Sequence, residues 1–99
     1  MSPYHNPAMK RLYEAILSLQ NEDECARFFE DLCTSRELMD MAQRLEAAAL
    51  LDQKMSYQAI AQQVKISTAT IGRVSKCLNY GAGGYRLALD RRKEKEEQS

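Results

Sequence analysis

Two short helical patterns lie close together in the second half of the chain, and this spacing is the strongest constraint on the fold. Ser56 and Ser67 each precede an amphipathic segment, and serine is a preferred N-cap because its hydroxyl accepts a hydrogen bond from an early backbone N–H. The pattern predicts helices over about 57–63 and 68–78, joined only through 64–66. Two helices so closely joined must form a tight corner.

Apolar residues at helical spacing are expected to hold this corner together. A small residue is needed where the first helix approaches the second, and Ala61 meets that need. Lys65 stands in the turn, where glycine is usual because the backbone often needs a positive φ, so we expect a turn of slightly different shape. The residues expected to pin the two helices, and to continue the buried stripe of the second, are Ile60, Val64, Ile66, Ile71, Val74 and Leu78.

The outer face of the second helix is small and hydroxylated at its start and basic further along. Its residues are Thr68, Ala69, Gly72, Arg73 and Lys76. These types suit entry into the major groove of DNA, where threonine can contact base edges and thymine methyl groups, and arginine or lysine can bind guanine or phosphate. We interpret the corner as a DNA-binding helix-turn-helix. The alternatives are a corner with a solvated face and a non-catalytic module that binds a protein.

Charge is distributed unevenly along the chain, although the net charge is zero. Residues 1–55 hold six Lys/Arg against ten Asp/Glu, whereas residues 56–93 hold seven Lys/Arg against Asp90 alone. The second half is therefore where a polyanion would bind. An accidental asymmetry would give the same count, so the helix-turn-helix pattern has to decide between these readings.

Three amphipathic helices are predicted before the corner, over 9–19, about 22–33 and about 35–53. Two capping pairs, Asn21 with Glu24 and Thr34 with Glu37, mark the starts of the second and third. The inward stripe of the second helix is expected to comprise Cys25, Phe28, Phe29 and Leu32.

The apolar faces of these three helices are broader than a chain of 99 residues easily covers. Helices of a second copy are the natural cover, so we expect a homodimer, with a monomeric bundle as the alternative. A loop over 79–84 and a short helix over about 85–92 complete an all-α fold of about six helices. The expected organisation is a flexible leader over 1–8, a single domain over 9–92 and a charged flexible tail over 93–99.

Several classes of function find no support in the sequence. No apolar run approaches the roughly 20 residues of a bilayer span, and the start lacks a signal-peptide core, so we expect a cytoplasmic protein without a membrane partner. Cys25, Cys33 and Cys77 form no CxxC pair and His5 is the only histidine, so we expect reduced thiols and no metal site. No paired catalytic set supports an enzyme, and no cofactor is indicated.

The corner contains Ser56-Tyr57, then Ser67-Thr68-Ala69-Thr70-Ile71, then Arg73. This pattern resembles the DNA-binding region of the tryptophan-repressor family. A longer stretch, about Leu12 to Arg92, is similar to the YerC/YecD-type branch of that family. The segments that carry this likeness are Arg27 to Thr34, Ala42 to Glu46, Cys77 to Gly81, Gly84-Tyr85 and Ala88 to Arg91.

The resemblance implies an intertwined homodimer whose first three helices interlock across a two-fold axis. It also implies a transcriptional regulator, in the simplest case a repressor, that binds a pseudo-palindromic operator in double-stranded DNA. By that resemblance the residues that touch the operator are Tyr57, Gln58, Thr68, Ala69, Thr70, Gly72 and Arg73. The turn, the cap and the outer face add three more candidates, Lys65, Ser67 and Lys76.

The effector pocket of the resembled repressor transfers poorly to this chain. Gln43 stands where that repressor has an arginine that packs on the indole of tryptophan, and Val74 replaces the glycine that leaves room for the ligand. Arg73 matches the arginine that holds the ligand carboxylate. Because a bulky side chain takes the space and one charge partner is missing, we expect that tryptophan is not the effector. The candidate pocket residues are Gln43, Arg73 and Val74, with the effector unknown.

Overall fold

A computed structural model of the chain describes residues 6–98, which form six α-helices and no strand. The helices are α1 (Pro7–Ser18), α2 (Glu22–Leu32), α3 (Ser35–Asp52), α4 (Tyr57–Val64), α5 (Thr68–Tyr80) and α6 (Gly84–Glu97). They belong to two compact units, Met1–Leu38 and Met39–Ser99, so that α3 begins in the first unit and ends in the second. The all-α class predicted from the sequence is confirmed.

Side-chain caps determine where α2 and α3 begin. The Asn21 side chain accepts a hydrogen bond from the Glu24 backbone N–H at 2.9 Å, while Glu24 Oε1 accepts one from Gln20 N–H, one residue before the cap, at 2.9 Å. Thr34 Oγ1 accepts from Glu37 N–H at 3.0 Å, and Glu37 Oε1 accepts from Thr34 N–H at 2.8 Å, which is the reciprocal pair that the spacing predicts. The bond from the Thr34 N–H also lowers the pKa of Glu37, because it favours the ionised carboxylate.

No side chain of α1 or α2 is buried in the single chain. Cys25 lies exposed on α2, and the Leu32 side chain is 53% exposed. Phe28 and Phe29 are only half-buried and pack edge to face, with ring centroids 5.3 Å apart. The predicted stripe is therefore not enclosed within the single chain, and its burial against the helices of a second copy stays a prediction.

The second unit has a core made of apolar side chains from four helices. Its members are Ala47, Ala48, Leu50, Ile60, Ile71, Val74 and Leu89. Ala61 packs against this core, as do the pins of the corner that are not fully buried, Val64, Ile66 and Leu78. The predicted packing of the corner is confirmed. Burial of a Val or Ile side chain contributes about 1.5–3 kcal/mol, so this small core is the main stabilising feature of the unit.

Three predicted helix ends differ from the structure by two residues or more. Helix α1 begins at Pro7 rather than residue 9, because the Asn6 side chain caps it with a bond to the Met9 N–H at 2.8 Å. Helix α5 runs on to Tyr80, and its C-cap is Gly81, where a Cβ would clash with the Cys77 carbonyl oxygen.

The last helix begins at Gly84 and continues to Glu97, beyond the predicted end near residue 92. Its last turns are polar and contain pairs at helical spacing such as Arg92 with Glu96, whose side-chain atoms lie 3.1 Å apart. Residues 1–5 of the predicted leader, including His5, lie outside the described part of the chain. No helix within residues 6–98 is both long enough and apolar enough to cross a membrane.

An ion-pair cluster links the end of α3 to α6. Arg86 donates two hydrogen bonds to the two Asp52 carboxylate oxygens, both at 2.8 Å, and Lys93 Nζ donates a third at 2.7 Å. Arg86 also donates to Asp90, one turn further along α6, at 2.9 Å. Asp52 is the least exposed of the three partners, at 15% against 42% for Arg86 and 56% for Lys93. The bonds from Arg86, and then from Lys93, hold the pKa of Asp52 well below its usual range.

Replacement of the least exposed member of this cluster, Asp52→Asn, is expected to lower the free energy of unfolding at pH 7. We expect a loss of about 1 kcal/mol, less than the usual contribution of a hydrogen bond to a charged group, because both cationic partners are partly solvated. The folded pKa of Asp52 is depressed, so this stability is present above the unfolded pKa of about 3.9 and is lost as the pH falls from there through the lower folded pKa. Denaturant unfolding at a series of pH values should show the difference between the two proteins begin to narrow below about pH 4.

The control for this experiment is Glu30→Gln, which removes an exposed carboxylate from α2 and should change stability by less than about 0.5 kcal/mol. Equal stabilities of wild type and Asp52→Asn at pH 7 would contradict the assignment of a stabilising role to the cluster.

Candidate nucleic-acid interface

The candidate interface is formed by α4, the turn after it, and α5. Ser56 Oγ accepts a hydrogen bond from Ala59 N–H at 3.2 Å, and Ser67 Oγ accepts one from Thr70 N–H at 3.1 Å. Each bond satisfies a backbone donor that the start of a helix leaves free, so the two serines fix where α4 and α5 begin. Both predicted caps are confirmed.

The turn between the helices is closed by Lys65 in the left-handed conformation, with φ 66° and ψ 43°. Its backbone N–H donates to the Ala61 carbonyl at 3.0 Å, which completes the last turn of α4. Lysine thus adopts the geometry for which glycine is the usual residue, and the expected change in the shape of the turn is not found. A side chain with a Cβ loses about 1 kcal/mol in this region because the Cβ approaches the following carbonyl.

A side chain of α3 holds the end of α4. Gln43 Nε2 donates a partly buried hydrogen bond to the Val64 carbonyl oxygen at 3.3 Å. Val64 is the last residue of α4, so its carbonyl has no partner within the helix. The bond therefore connects α3 directly to the turn of the motif. Sequence reasoning placed Gln43 only in an effector pocket, because nothing in the spacing of two residues 21 positions apart indicates this contact.

Helix α5 presents opposite faces to the core and to solvent. Ile71 and Val74 are buried, whereas the residues predicted to face outward remain accessible. Among these, Thr68, Ala69, Arg73 and Lys76 are exposed, and Thr70 and Gly72 are half-buried. On α4 and in the turn, Tyr57, Gln58, Lys65 and Ser67 are exposed. All ten residues predicted to contact DNA thus lie on consecutive elements, with solvent access.

Gly72 is an unusual residue for the middle of α5. Glycine within a helix is less stable than alanine by about 1 kcal/mol, so its presence normally has a steric reason. Here a Cβ on Gly72 would meet only Tyr57 Cε2, at 4.0 Å, which is an ordinary van der Waals distance. No described residue of the chain therefore requires a glycine at this position.

The positive charge of the second half is partly neutralised in the folded chain. Arg86 and Lys93 bind Asp52, and Arg92 pairs with Glu96. Four cations of this half form no ion pair with any residue of the described range, and they are Lys65, Arg73, Lys76 and Arg91. Three of the four belong to the helix-turn-helix. The charge available to a polyanion is thus smaller than the sequence count and is concentrated on the motif. The spacing of Arg92 and Glu96, four residues apart on a helix, could have predicted their ion pair. The ion pairs of Asp52 could not be predicted, because Arg86 and Lys93 are distant from it in the sequence.

The three residues considered for an effector pocket have different surroundings. Val74 belongs to the apolar core, Arg73 is exposed, and the Gln43 amide is bonded to the Val64 carbonyl. The bulk of Val74 therefore contributes to the packing of the corner.

The chain has six helices and a helix-turn-helix whose outer face carries cations without ion-pair partners in the described range. This combination is typical of all-helical proteins that bind nucleic acid through such a corner. The sequence model of the Trp repressor protein family matches residues 8–93. The chain belongs to the Trp repressor family, whose members are DNA-binding regulators and not enzymes.

Relatives and solved structures agree with this assignment. The chain is 50% identical over 91 residues to the uncharacterized protein YerC of Bacillus subtilis, a match that covers 92% of this chain and 88% of YerC. It superposes with a TM-score of 0.86 on a TrpR-like protein from Eubacterium eligens, at 43% identity over 89% of this chain and 91% of the other. A Staphylococcus aureus protein provisionally described as a Trp repressor gives a TM-score of 0.88, at 38% identity over 94% and 96% of the two chains.

Lys65→Gly is expected to stabilise the protein by up to about 1 kcal/mol, because it relieves the steric cost of a left-handed lysine. The matched change Lys76→Gly, within the helical part of α5, should destabilise by about 1 kcal/mol through lost helix propensity. Thermal unfolding of the two variants and the wild type measures the sign of each change in stability. A loss of stability in Lys65→Gly would show that contacts of the lysine side chain outweigh its backbone strain.

Proposed function

We propose that the chain is a sequence-specific transcriptional regulator that inserts α5 into the major groove of DNA. The observation that carries this proposal is the division of α5 into a buried apolar face, with Ile71 and Val74, and an accessible face that carries Arg73 and Lys76 without ion-pair partners in the described chain. A recognition helix needs such a division, because one face must be anchored while the other reaches base edges and phosphates.

The residues of the motif divide between two kinds of contact. Lys65, Arg73 and Lys76 supply charge for phosphate or guanine, and the start of α5 supplies small and hydroxylated groups for base edges. The full proposed interface comprises Tyr57, Gln58, Lys65, Ser67, Thr68, Ala69, Thr70, Gly72, Arg73 and Lys76. Regulation by occupancy of an operator, and therefore repression, is the simplest consequence of such binding.

We propose further that the working form is a homodimer, with residues 9–92 acting as its functional domain. Helices α1 and α2 bury no side chain in the single chain, although both have an apolar face. Large apolar side chains also remain accessible on α3, among them Met39, Met41 and Leu45. A second copy would cover these faces, and a two-fold axis would present two recognition helices to successive major grooves about 34 Å apart. The operator would then be pseudo-palindromic.

Tryptophan is not the proposed effector. The Val74 side chain lies in the core of the corner, and the Gln43 amide is already bonded within the chain, which supports the sequence argument against an indole site. A regulator of transcription works on the chromosome, so we propose action in the cytoplasm.

Arg73→Ala is expected to lower the affinity for a DNA site, selected from random duplexes by the wild type, by about tenfold or more. Loss of a bidentate contact to guanine removes about 1–3 kcal/mol of discrimination at one position, whereas loss of a phosphate contact lowers affinity on all sequences and reduces the salt slope by about 1. Titrations at several salt concentrations measure both. Arg27→Ala removes the same charge from α2, where Arg27 pairs with Asp23, and should change little.

If the wild type selects no duplex even at low salt, the DNA-binding proposal fails and the corner is better interpreted as a protein-binding module. Unchanged binding by Arg73→Ala would remove Arg73 from the interface.

The dimer is tested at Leu45, which is 46% exposed in the single chain. In a dimer seam Leu45→Asp would bury an unpaired charge and should abolish both folding and DNA binding, whereas on a free surface it should be tolerated. Leu87→Asp on α6, where Leu87 is 53% exposed, is the matched control and should fold.

Wild-type denaturation midpoints should rise with protein concentration. A folded Leu45→Asp monomer at micromolar concentration would show that the dimer is not obligatory.

A further inference from the structure

Gly72 leaves a gap at the surface of α5 that the fold does not need. Its backbone is helical, since Gly83 is the only glycine with a positive φ among the described residues, so no special conformation calls for glycine. An alanine methyl would fit, with Tyr57 Cε2 at 4.0 Å as its only near neighbour. The protein therefore keeps a methyl-sized space at a helical position where alanine would be more stable.

The space is open to solvent and has an aromatic wall. The Tyr57 side chain, at the start of α4, borders it and is itself 41% exposed. On the helix surface the neighbours of Gly72 are the residues three and four positions away, and of these Thr68, Ala69 and Lys76 are exposed. The recess formed by Gly72 and the Tyr57 ring therefore lies among the residues proposed to face DNA.

The chemistry of this recess selects one feature of the major groove. Base edges there present nitrogen and oxygen donors and acceptors, and the 5-methyl group of thymine is the apolar group among them. The space at Gly72 admits one methyl group, which would lie 4.0 Å from a carbon of the Tyr57 ring, so it suits the apolar methyl group better than the polar base edges. Dispersion contacts and removal of the methyl from water would both favour that fit.

We propose that Gly72 and the Tyr57 ring form a recess that receives the 5-methyl group of one thymine in each half-site. This inference rests on the proposed function, and it makes Gly72 a residue that determines sequence specificity. Glycine at this position lowers the stability of α5 and in return leaves room for the base. An alanine methyl would fill the space that the thymine methyl occupies.

The test uses the full-length protein and a duplex site that the wild type has selected from random DNA. Each thymine of the site is replaced in turn by deoxyuridine, which removes only the methyl group and keeps the base pairing. One position in each half-site should lose about fourfold in affinity, which is the contribution of one buried methyl group. Gly72→Ala should bind the unmodified site about tenfold or more weakly, because of overpacking, and should no longer distinguish thymine from deoxyuridine at that position.

Gly84→Ala, at the start of α6, is the matched control, because a Cβ there would meet nothing within 4 Å and one at Gly72 would meet only Tyr57 Cε2. Both alanine variants should melt at the wild-type temperature or a few degrees above it, and only Gly72→Ala should lose DNA affinity. A fall in melting temperature for Gly72→Ala would show that glycine serves the fold and would overturn the inference.

Two binding results would also overturn it: no thymine that is sensitive to methyl removal, or a sensitivity that survives unchanged in Gly72→Ala. In either case the duplex would still be bound, so the DNA-binding proposal would stand. Failure to select any duplex would instead remove both.

Discussion

The packing of α4 against α5 is the constraint on which the rest of the interface depends. Ile60 from α4 meets Ile71 and Val74 from α5 in a core that also receives Ala47 and Ala48 from α3. Because this apolar stripe must be buried, the opposite face of α5 has to face solvent, and its orientation is set without any contact to a ligand. Small alanines on α3 allow the corner to pack closely, which explains how so few buried residues can hold it.

Hydrogen bonds and ion pairs add further contacts between the helices that the apolar core holds together. Gln43 satisfies the free carbonyl at the end of α4, and Lys65 accepts a strained conformation to close the turn. The bonds of Asp52 to Arg86 and Lys93 join α3 to α6 and pair two of the cations of residues 56–93. Within that half, three of the four cations that form no ion pair with a described residue therefore lie on the helix-turn-helix.

The two units of the chain differ in how completely they bury their apolar residues. The second unit has a core of its own, while α1 and α2 contribute no buried side chain. An amphipathic helix needs a neighbouring helix or a second chain against its apolar face, since most helical stability in proteins comes from tertiary packing. Membership of the Trp repressor family and the exposed side chains of α3 both favour a second copy as the cover.

The sequence by itself determined the elements that depend on neighbours along the chain. Residue type and helical spacing were enough to predict the caps at Ser56, Ser67 and Thr34 and the buried stripe of α5. The same sequence features indicated the all-α fold class and the family. Tertiary structure alone decided the contacts between distant positions. The bond from Gln43 to Val64, the ion pairs of Asp52 and the empty space beside Gly72 depend on how helices cross, and spacing along the chain carries no information about that. The exposure of the α2 stripe has the same origin, because periodicity shows that a face is apolar but does not show which chain covers it.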